Sequence, residues 1–277
     1  MTHPEPTTLP GPALLFCPAD RPERYGKALA AADAVILDLE DGVGAAAKDA
    51  ARTALAASDL DPARVIVRVN AVGTAEHAAD LAAVRTTGYR TIMLPKTETR
   101  AQLDGLGRDW RVVALCETAA GLLNAAQIAA APAVIAVLWG SEDLIASMGG
   151  RSSRLPGGRY RDVSRHARST ALLAARAHGR AAIDSVYVDI PDLDGLAAEA
   201  EDAAASGFTH KACIHPTQSA VVRRAFRADD TQVAWALRVL EAARDATAGD
   251  RGAVKVDGQM IDAPLIRQAE AILASRT

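Results

Sequence analysis

An α/β fold, a (β/α)8 barrel with a helical and hairpin extension at its C-terminus, is the class this sequence predicts. Three observations predict it. Short runs rich in Val, Ile and Leu alternate with alanine-rich helical segments along most of the chain, which marks a parallel sheet built from βαβ units. Six of the runs stop in charged or chelating residues: VILDLED (35–41), VIVRVN (65–70), TIMLPK (91–96), VVALCET (112–118), VIAVLWGSED (134–143) and KACIHP (211–216). An eight-stranded barrel gathers the C-terminal ends of its strands on one face and carries its active site there, so the pattern has a purpose in that fold. The third observation is length, because 277 residues suit a single barrel of this kind.

Each element has its own signal. A first strand over Ala13–Cys17 leads to a helix over Arg21–Ala32, and a second over Ala34–Leu39 to a helix over Ala45–Ala57. Val65–Val69 precedes a helix over Ala75–Thr86, and Thr91–Leu94 precedes one over Thr99–Gly105. Val112–Cys116 is followed by a helix over Ala120–Ala130. After strand Val134–Leu138 comes an irregular stretch and then a long helix, Asp162–His178. The last two strands are expected at Ser185–Val188 and Lys211–Ile214, with helix Asp192–Ser206 between them. Alanine, the best intrinsic helix former, suits helices packed closely on a barrel. Aromatic residues make up only 4%, so aliphatic side chains must fill the core.

Beyond the eighth strand the alternation ends. Thr217–Phe226 and Asp230–Ala246 read as helices, Val254–Lys255–Val256 followed by Asp257–Gly258 as a small hairpin, and Pro264–Ser275 as a last helix. The expected organisation is a disordered tail over 1–12, a catalytic barrel over 13–226, and an extension over 227–277 that serves as a lid or a subunit contact.

Composition excludes several function classes. A net charge of −3 gives no broad attraction to nucleic acid or to an anionic membrane, and neither is expected as a partner. The most apolar stretch, Ile128 to Trp139, is too short to span a bilayer and contains Pro132. The first dozen residues carry no signal-peptide pattern. Cys17, Cys116 and Cys213 are odd in number and lack metal-ligand spacing, so a cytoplasmic, reducing setting is expected.

The chemistry concentrates at the strand ends. Glu117 and Asp143 follow strands five and six, and carboxylates on adjacent sectors of the mouth can hold one hard divalent cation while leaving room for water and a chelating substrate. No nearby His or Cys completes a zinc set, which favours Mg2+ or Mn2+. Arg68 closes an otherwise apolar run, where a buried guanidinium needs an anion. It can face substrate oxygens, or pair with Glu40 or Asp41, and the two readings are compatible. Of that acidic pair, one can accept from Arg68 and the other from metal-bound water. Lys96 can bind a phosphate or carboxylate. Arg21, Arg24 and Lys27 share a face of the first helix, and Arg151, Arg154, Arg159 and Arg161 lie on a loop that could close over anions; for both groups a simply solvated surface is the alternative. His215, before Pro216, is as well explained as a helix cap.

LFCPADRPER, DAVILDLEDGV, VRVN, IMLPKTE, ALCETAAGLLN, WGSEDL, GFTHKACIHPTQ and DGQMID together resemble the citrate lyase β-subunit-like proteins of the HpcH/HpaI aldolase and malyl-CoA lyase superfamily. The resemblance spans nearly the whole chain. It implies a TIM barrel, trimeric or hexameric, that uses Mg2+ to break or form C–C bonds beside a thioester. It implies Glu117 and Asp143 as metal ligands, with Glu117 and Arg68 facing the substrate. Glu40 and Asp41 match the acidic pair behind the metal, and Gly140 and Ser141 a contact to the substrate carboxylate. Asp262 matches an aspartate that acts from an adjacent subunit as acid or base. Arg21, Arg24, Lys27 and Lys96 are the expected cofactor-binding cations, with a CoA thioester as the substrate. His210 replaces the glycine usual before KACIHP and is expected to reshape that part of the mouth. The implied activity is cleavage or formation of a β-hydroxyacyl-CoA-type thioester, giving a 2-oxo acid and an acyl-CoA. Thioesterase or malate-synthase-like activity, or service as a carrier-dependent subunit, are the alternatives.

Overall fold

The computed structural model describes residues 9–107, 109–248 and 254–275. They fall into two compact units, one ending at Val222 and the other beginning at Arg223.

The first unit is a closed barrel of eight parallel strands in sequential order. These are β1 (Ala13–Pro18), β2 (Ala34–Asp38), β3 (Val65–Arg68), β4 (Thr91–Leu94), β5 (Arg111–Cys116), β6 (Val134–Trp139), β7 (Ala181–Asp184) and β8 (His210–Cys213). β8 returns to β1 with Ala13 opposite Lys211 and Leu15 opposite Cys213, so no sheet edge is left open. The strands alternate inward and outward with period two. Leu14, Ala34, Ile36, Ile66, Met93, Val113, Leu115, Ala136, Leu138, Ile183 and Ala212 form one buried cluster, with Phe16 packed against it. Each large aliphatic side chain withdrawn from water in this way contributes about 1.5–3 kcal/mol. The outward set, among them Leu15, Val35, Leu37, Val67 and Val137, is buried as well. Strands covered on both faces read as continuous apolar runs, which is what made them visible in the sequence.

The helices are α1 (Pro22–Ala31), α2 (Lys48–Ala56), α3 (Ala75–Arg85), α4 (Arg100–Asp104), α5 (Ala119–Leu123), α6 (Ala125–Ala129), α7 (Ser141–Ser147), α8 (Asp162–Ala177), α9 (Leu193–Ser206) and α10 (Pro216–Ala225). Two helical stretches and one strand differ from the expected pattern. The single helix expected over 120–130 is broken at Asn124, whose side-chain amide donates to the Glu98 carbonyl at 2.8 Å. The stretch after β6, expected to be irregular, begins with α7. The seventh strand lies at Ala181–Asp184, not at Ser185–Val188, because Ala-Ala-Ile pairs with β6 on one side and Ile183-Asp184 with β8 on the other. The β-branched residues after it drew the assignment four positions too far.

Leu9 to Pro12, assigned to the tail for their prolines, are packed: Leu9 joins the barrel cluster, and Pro12 accepts from the Lys211 N–H at 2.9 Å. Residues 1–8 of that expected tail lie outside the described residues. His210 is the first residue of β8 and therefore sits at the end of the barrel opposite the mouth. Its Nε2 stands 3.2 Å from the Leu9 carbonyl, and its ring occupies the space a side chain at Gly11 would need. The glycine-to-histidine change expected to reshape the mouth instead fits the barrel floor. Burial pushes this imidazole below its ordinary pKa, so it packs as a neutral group.

The second unit holds α11 (Asp230–Ala248), a two-stranded hairpin of β9 (Val254–Val256) and β10 (Gln259–Ile261), and α12 (Ala263–Ala274). Asp257 and Gly258 both have positive φ, 49° and 87°, as the two central residues of a type I′ turn require. Ala236, Val239, Val256, Ile261 and Ala269 form its core. Asp262 is the N-cap residue of α12. Among the described residues no helix is long and apolar enough to cross a membrane.

Candidate active site

Following each inward stripe two residues further brings it out at the mouth. Ala34 and Ile36 lead to Asp38, Ile66 to Arg68, and Val113 and Leu115 to Glu117; Ala136 and Leu138 lead to Gly140, Ile183 to Ser185, and Ala212 to Ile214. All six of these endpoints line one cavity of about 410 Å³, together with Asp41, Ser141, Asp143 and an apolar floor that includes Phe16, Leu115 and Leu138.

Arg68 is the most tightly held charge in the cavity. Its Nε and Nη2 donate to the two oxygens of Asp38 at 2.7 and 2.6 Å, and its Nη1 stands 2.9 Å from Glu40 Oε2. Its guanidinium lies 5.0 Å from the centre of the Phe16 ring. Burial works against the charge, but the bond to Asp38 and the fields of Asp38, Glu40 and Glu117 outweigh it and raise the pKa above the ordinary arginine value. The expected partners were Glu40 or Asp41. Glu40 is one, whereas the bidentate partner is Asp38, which the sequence reading passed over. The signal was available: Asp38 continues the period-two phase of Ala34 and Ile36, as Glu40 does, and Asp41 is out of phase. Asp38 also accepts the Glu40 N–H at 2.9 Å and the Gly42 N–H at 2.8 Å, so one carboxylate organises both the arginine and the acidic loop. A side chain at Gly42 would run into Asp38 Oδ2.

Glu117 is 2% exposed, and its Oε1 accepts from the Lys96 N–H at 3.0 Å. Burial first, then the negative charges of Asp143 and Glu40, push its carboxyl up to about 8. Asp143 lies in the first turn of α7, half-buried. A Cβ at Gly140 would stand 2.8 Å from Glu117 Cβ and 3.0 Å from Oε2, so glycine there lets the chain pass close behind the carboxylate. Glu40 is also raised by burial, partly offset by Arg68 and Lys96. Lys96 has a left-handed backbone, φ 49°, which costs a non-glycine residue on the order of 1–3 kcal/mol. Its ammonium is bonded to Glu40 Oε1 and stands 3.6 Å from Asp41 and 3.9 Å from Glu117. Carboxylates of the protein thus occupy the place the sequence reading reserved for a ligand anion.

The carboxylates suit a hard divalent ion. Glu117 is buried, the fields of Asp143 and Glu40 outweigh those of Lys96 and Arg68 on it, and oxygen donors of this kind match Mg2+ or Mn2+. Among the described residues no group of three or more His, Cys, Asp or Glu side chains is placed to enclose a metal alone. Most of the coordination shell would therefore fall to water and ligand oxygens.

Other expected residues lie elsewhere. None of Arg21, Arg24 and Lys27 is among the residues lining the cavity; Arg21 and Arg24, exposed at the start of α1, stand 3.9 and 3.8 Å from Asp20 and Glu23. None of the four loop arginines lines it either. Arg154 is engaged internally: it donates to Glu199 at 2.7 Å and stacks on Tyr160 at 3.8 Å. His215 caps α10 through Thr217, whose N–H donates to its Nδ1 at 3.3 Å. Asp262 belongs to the second unit.

Sequence reasoning also missed a buried ion network under the mouth. Lys211, fully buried, donates to Asp184 at 2.9 Å, to Glu199 at 2.9 Å and to the Ser185 carbonyl at 2.8 Å. Arg168 and the Trp139 indole donate to the other oxygen of Asp184 at 3.0 and 2.8 Å. Burial would raise the Asp184 pKa, yet Lys211 and Arg168 hold it below the usual value. The network fixes Ser185, whose hydroxyl accepts from the Ser141 N–H at 3.2 Å.

Fold and site together define an α/β-barrel enzyme with a carboxylate-rich, arginine-bearing pocket at the C-terminal ends of its strands. Residues 13–216 match the HpcH/HpaI aldolase/citrate lyase family, and the chain belongs to it. It is 56% identical over 264 residues to a citrate lyase subunit beta-like protein of Mycobacterium tuberculosis, covering 95% of this chain and 94% of that one. It is 32% identical to the mitochondrial citramalyl-CoA lyase of Rattus norvegicus, covering 97% of this chain and 87% of that one. It superposes with a TM-score of 0.92, at 55% identity, on M. tuberculosis CitE solved with magnesium, acetoacetate and coenzyme A, covering 96% of this chain and 98% of that one.

Proposed function

We propose that this chain is a Mg2+-dependent carbon–carbon lyase that cleaves, or in reverse forms, a β-hydroxyacyl-CoA-type thioester, giving a 2-oxo acid and an acyl-CoA. The observation that carries the reading is the meeting of Glu117, Asp143 and a clamped Arg68 around one cavity with an apolar floor. The lyase and CoA-complexed relatives support the same substrate class.

Glu117 and Asp143 would hold the metal, which supplies Lewis-acid polarisation of the oxygen that becomes the ketone. Arg68 faces the same oxygen and the neighbouring carboxylate. Asp38 fixes its fork before substrate arrives, so little reorganisation is needed as negative charge develops. The bond that breaks joins the hydroxyl-bearing carbon to the carbon beside the thioester. The hydroxyl proton leaves to a base of the acidic pair Glu40 and Asp41. The released enolate takes a proton at carbon from Asp262, contributed by an adjacent subunit. Gly140 and Ser141 flank the substrate carboxylate, and Phe16, Leu115 and Leu138 exclude water below it. Arg21, Arg24 and Lys27, exposed at the first βα unit and outside the cavity lining, would meet the CoA phosphates there.

We assign the chain to a homo-oligomer, trimer or hexamer, in the cytoplasm. A trans role for Asp262 would require the first. All three cysteines are buried, with the Cys17 and Cys116 thiols pushed up to about 11 and about 12 by burial, which suits a reducing compartment where no disulfide is required. The test is turnover of malyl-, citramalyl- and hydroxymethylglutaryl-CoA by the isolated chain with and without Mg2+, with products identified. Release of a 2-oxo acid or ketoacid with an acyl-CoA, only when Mg2+ is present, is expected. Free CoA without a C–C cleavage product would favour the thioesterase alternative, and turnover only on an acyl-carrier protein would favour the carrier-dependent subunit.

A further inference from the structure

The mouth of the barrel is over-supplied with negative charge. Among the described residues, the ion pairs of Asp38, Glu40, Asp41 and Glu117 come from Arg68 and Lys96, while Lys48 reaches the backbone carbonyls of Leu39 and Glu40; Arg68 is committed to Asp38 and Glu40. Lys96 differs from Arg68 in position. Arg68 lines the cavity; Lys96 is not among the described residues that do, and its ammonium lies against Glu40 with Glu117 3.9 Å away. A left-handed backbone at Lys96 makes both contacts available at once, because its N–H meets Glu117 Oε1 while its side chain turns back to Glu40. A strained residue that presents a partly exposed charge beside Glu40 and Glu117, outside the cavity lining, points to an electrostatic purpose.

We propose that Lys96 is a built-in counter-charge that sets the site's preference between cation and anion, loosening its hold on a divalent metal and strengthening its hold on a 2-oxo acid. The inference rests on the reading that Glu117 and Asp143 hold Mg2+. The physical argument is one of sign. A fixed positive charge 3.9 Å from Glu117 repels a divalent ion held there twice as strongly as it attracts a monoanion at the same distance. Without it, the site would bind metal more tightly and the anionic substrate less well. Protons would also be drawn to Glu117 more strongly, but a divalent ion gains twice what a proton gains, so tighter metal binding still prevails.

Lys96→Met removes the ammonium and keeps the backbone N–H that Glu117 accepts from. Titration calorimetry with MgCl2, and with pyruvate at saturating Mg2+, separates the possibilities. Relative to wild type, Lys96→Met is expected to bind Mg2+ about tenfold more tightly and pyruvate several-fold more weakly, the size that water-like screening of a partly exposed ammonium implies. Lys96→Arg, which keeps the charge, should stay close to wild type in both titrations. Lys96→Gln carries the same expectations as the methionine variant and replaces it if that protein does not fold. If Lys96 merely shapes the site, Mg2+ and pyruvate will both bind more weakly, which overturns the inference and leaves the metal reading intact. Unchanged constants overturn it equally. Wild-type protein that takes up no Mg2+ overturns the metal reading itself and the inference with it.

Discussion

Asp38 and Glu117 show how one side chain can be placed by geometry and tuned by its neighbours. Asp38 receives four hydrogen bonds, from Arg68, from Glu40 and from Gly42, and so fixes a cation and a loop together. Glu117 is the reverse case, a buried carboxyl with one backbone donor and with Asp143 and Glu40 outweighing Lys96 and Arg68 around it. Its pKa near 8 has a definite consequence. The folded protein keeps a proton that the unfolded chain has lost, so without metal the contribution to stability declines as pH rises from the ordinary carboxyl range toward 8. Metal binding needs the carboxylate and must expel that proton. Mg2+ affinity is therefore expected to rise roughly tenfold or more between pH 6.5 and 8.5, and the Mg2+-induced increase in Tm should grow in parallel. Calorimetric titrations at the two pH values check this. A flat affinity would mean that Glu117 is already ionised before the metal arrives.

Between residue and molecule, the elements divide into those the sequence announces and those that tertiary context decides. Strands β1 to β6 were legible because burial on both faces leaves unbroken Val, Ile and Leu runs. The hairpin was legible because Asp-Gly is a turn signal that the left-handed pair at 257 and 258 satisfies. β7 was not, since Ala181 and Ala182 read as a continuation of the helical segment and only pairing with β6 reveals them as strand. At the site, Glu117, Asp143, Arg68 and Glu40 were legible as polar residues ending apolar runs. Asp38 was hidden inside such a run, and Lys211, correctly a strand residue, gave no sign of its buried ion pairs. Lys211 also carries a prediction for this layer. It is wholly buried between Asp184 and Glu199, and removing one partner of such a cluster leaves carboxylates without compensation. Arg168 and Arg154 remain to those acids, so Lys211→Met should lose about 3 kcal/mol of unfolding free energy, at the low end of the range for broken buried pairs. Denaturant melts read this directly, and a loss below about 1 kcal/mol would show that the arginines alone satisfy the network.

At the scale of the whole molecule, the proposed catalytic set is divided between the two compact units, with the barrel carboxylates in the first and Asp262 at the head of α12 in the second. If Asp262 serves a neighbouring subunit, an Asp262→Ala chain mixed with a Glu117→Ala chain should recover a measurable share of lyase activity, although each variant alone is nearly inactive. Recovery absent despite demonstrated subunit exchange would return Asp262 to its own chain or remove it from catalysis. The barrel unit constrains how such an enzyme can change. Asp38, Arg68, Glu117, Gly140, Ser185 and Ile214 are each the last rung of a ladder whose lower rungs are core residues. Gaining or losing one residue within a strand would therefore turn the functional group outward and a core-facing residue with it. New substrate preferences in this lineage must then arise by exchanging side chains at fixed rungs, or by lengthening the loops above them, while the reading frame of each strand stays locked to the chemistry it delivers.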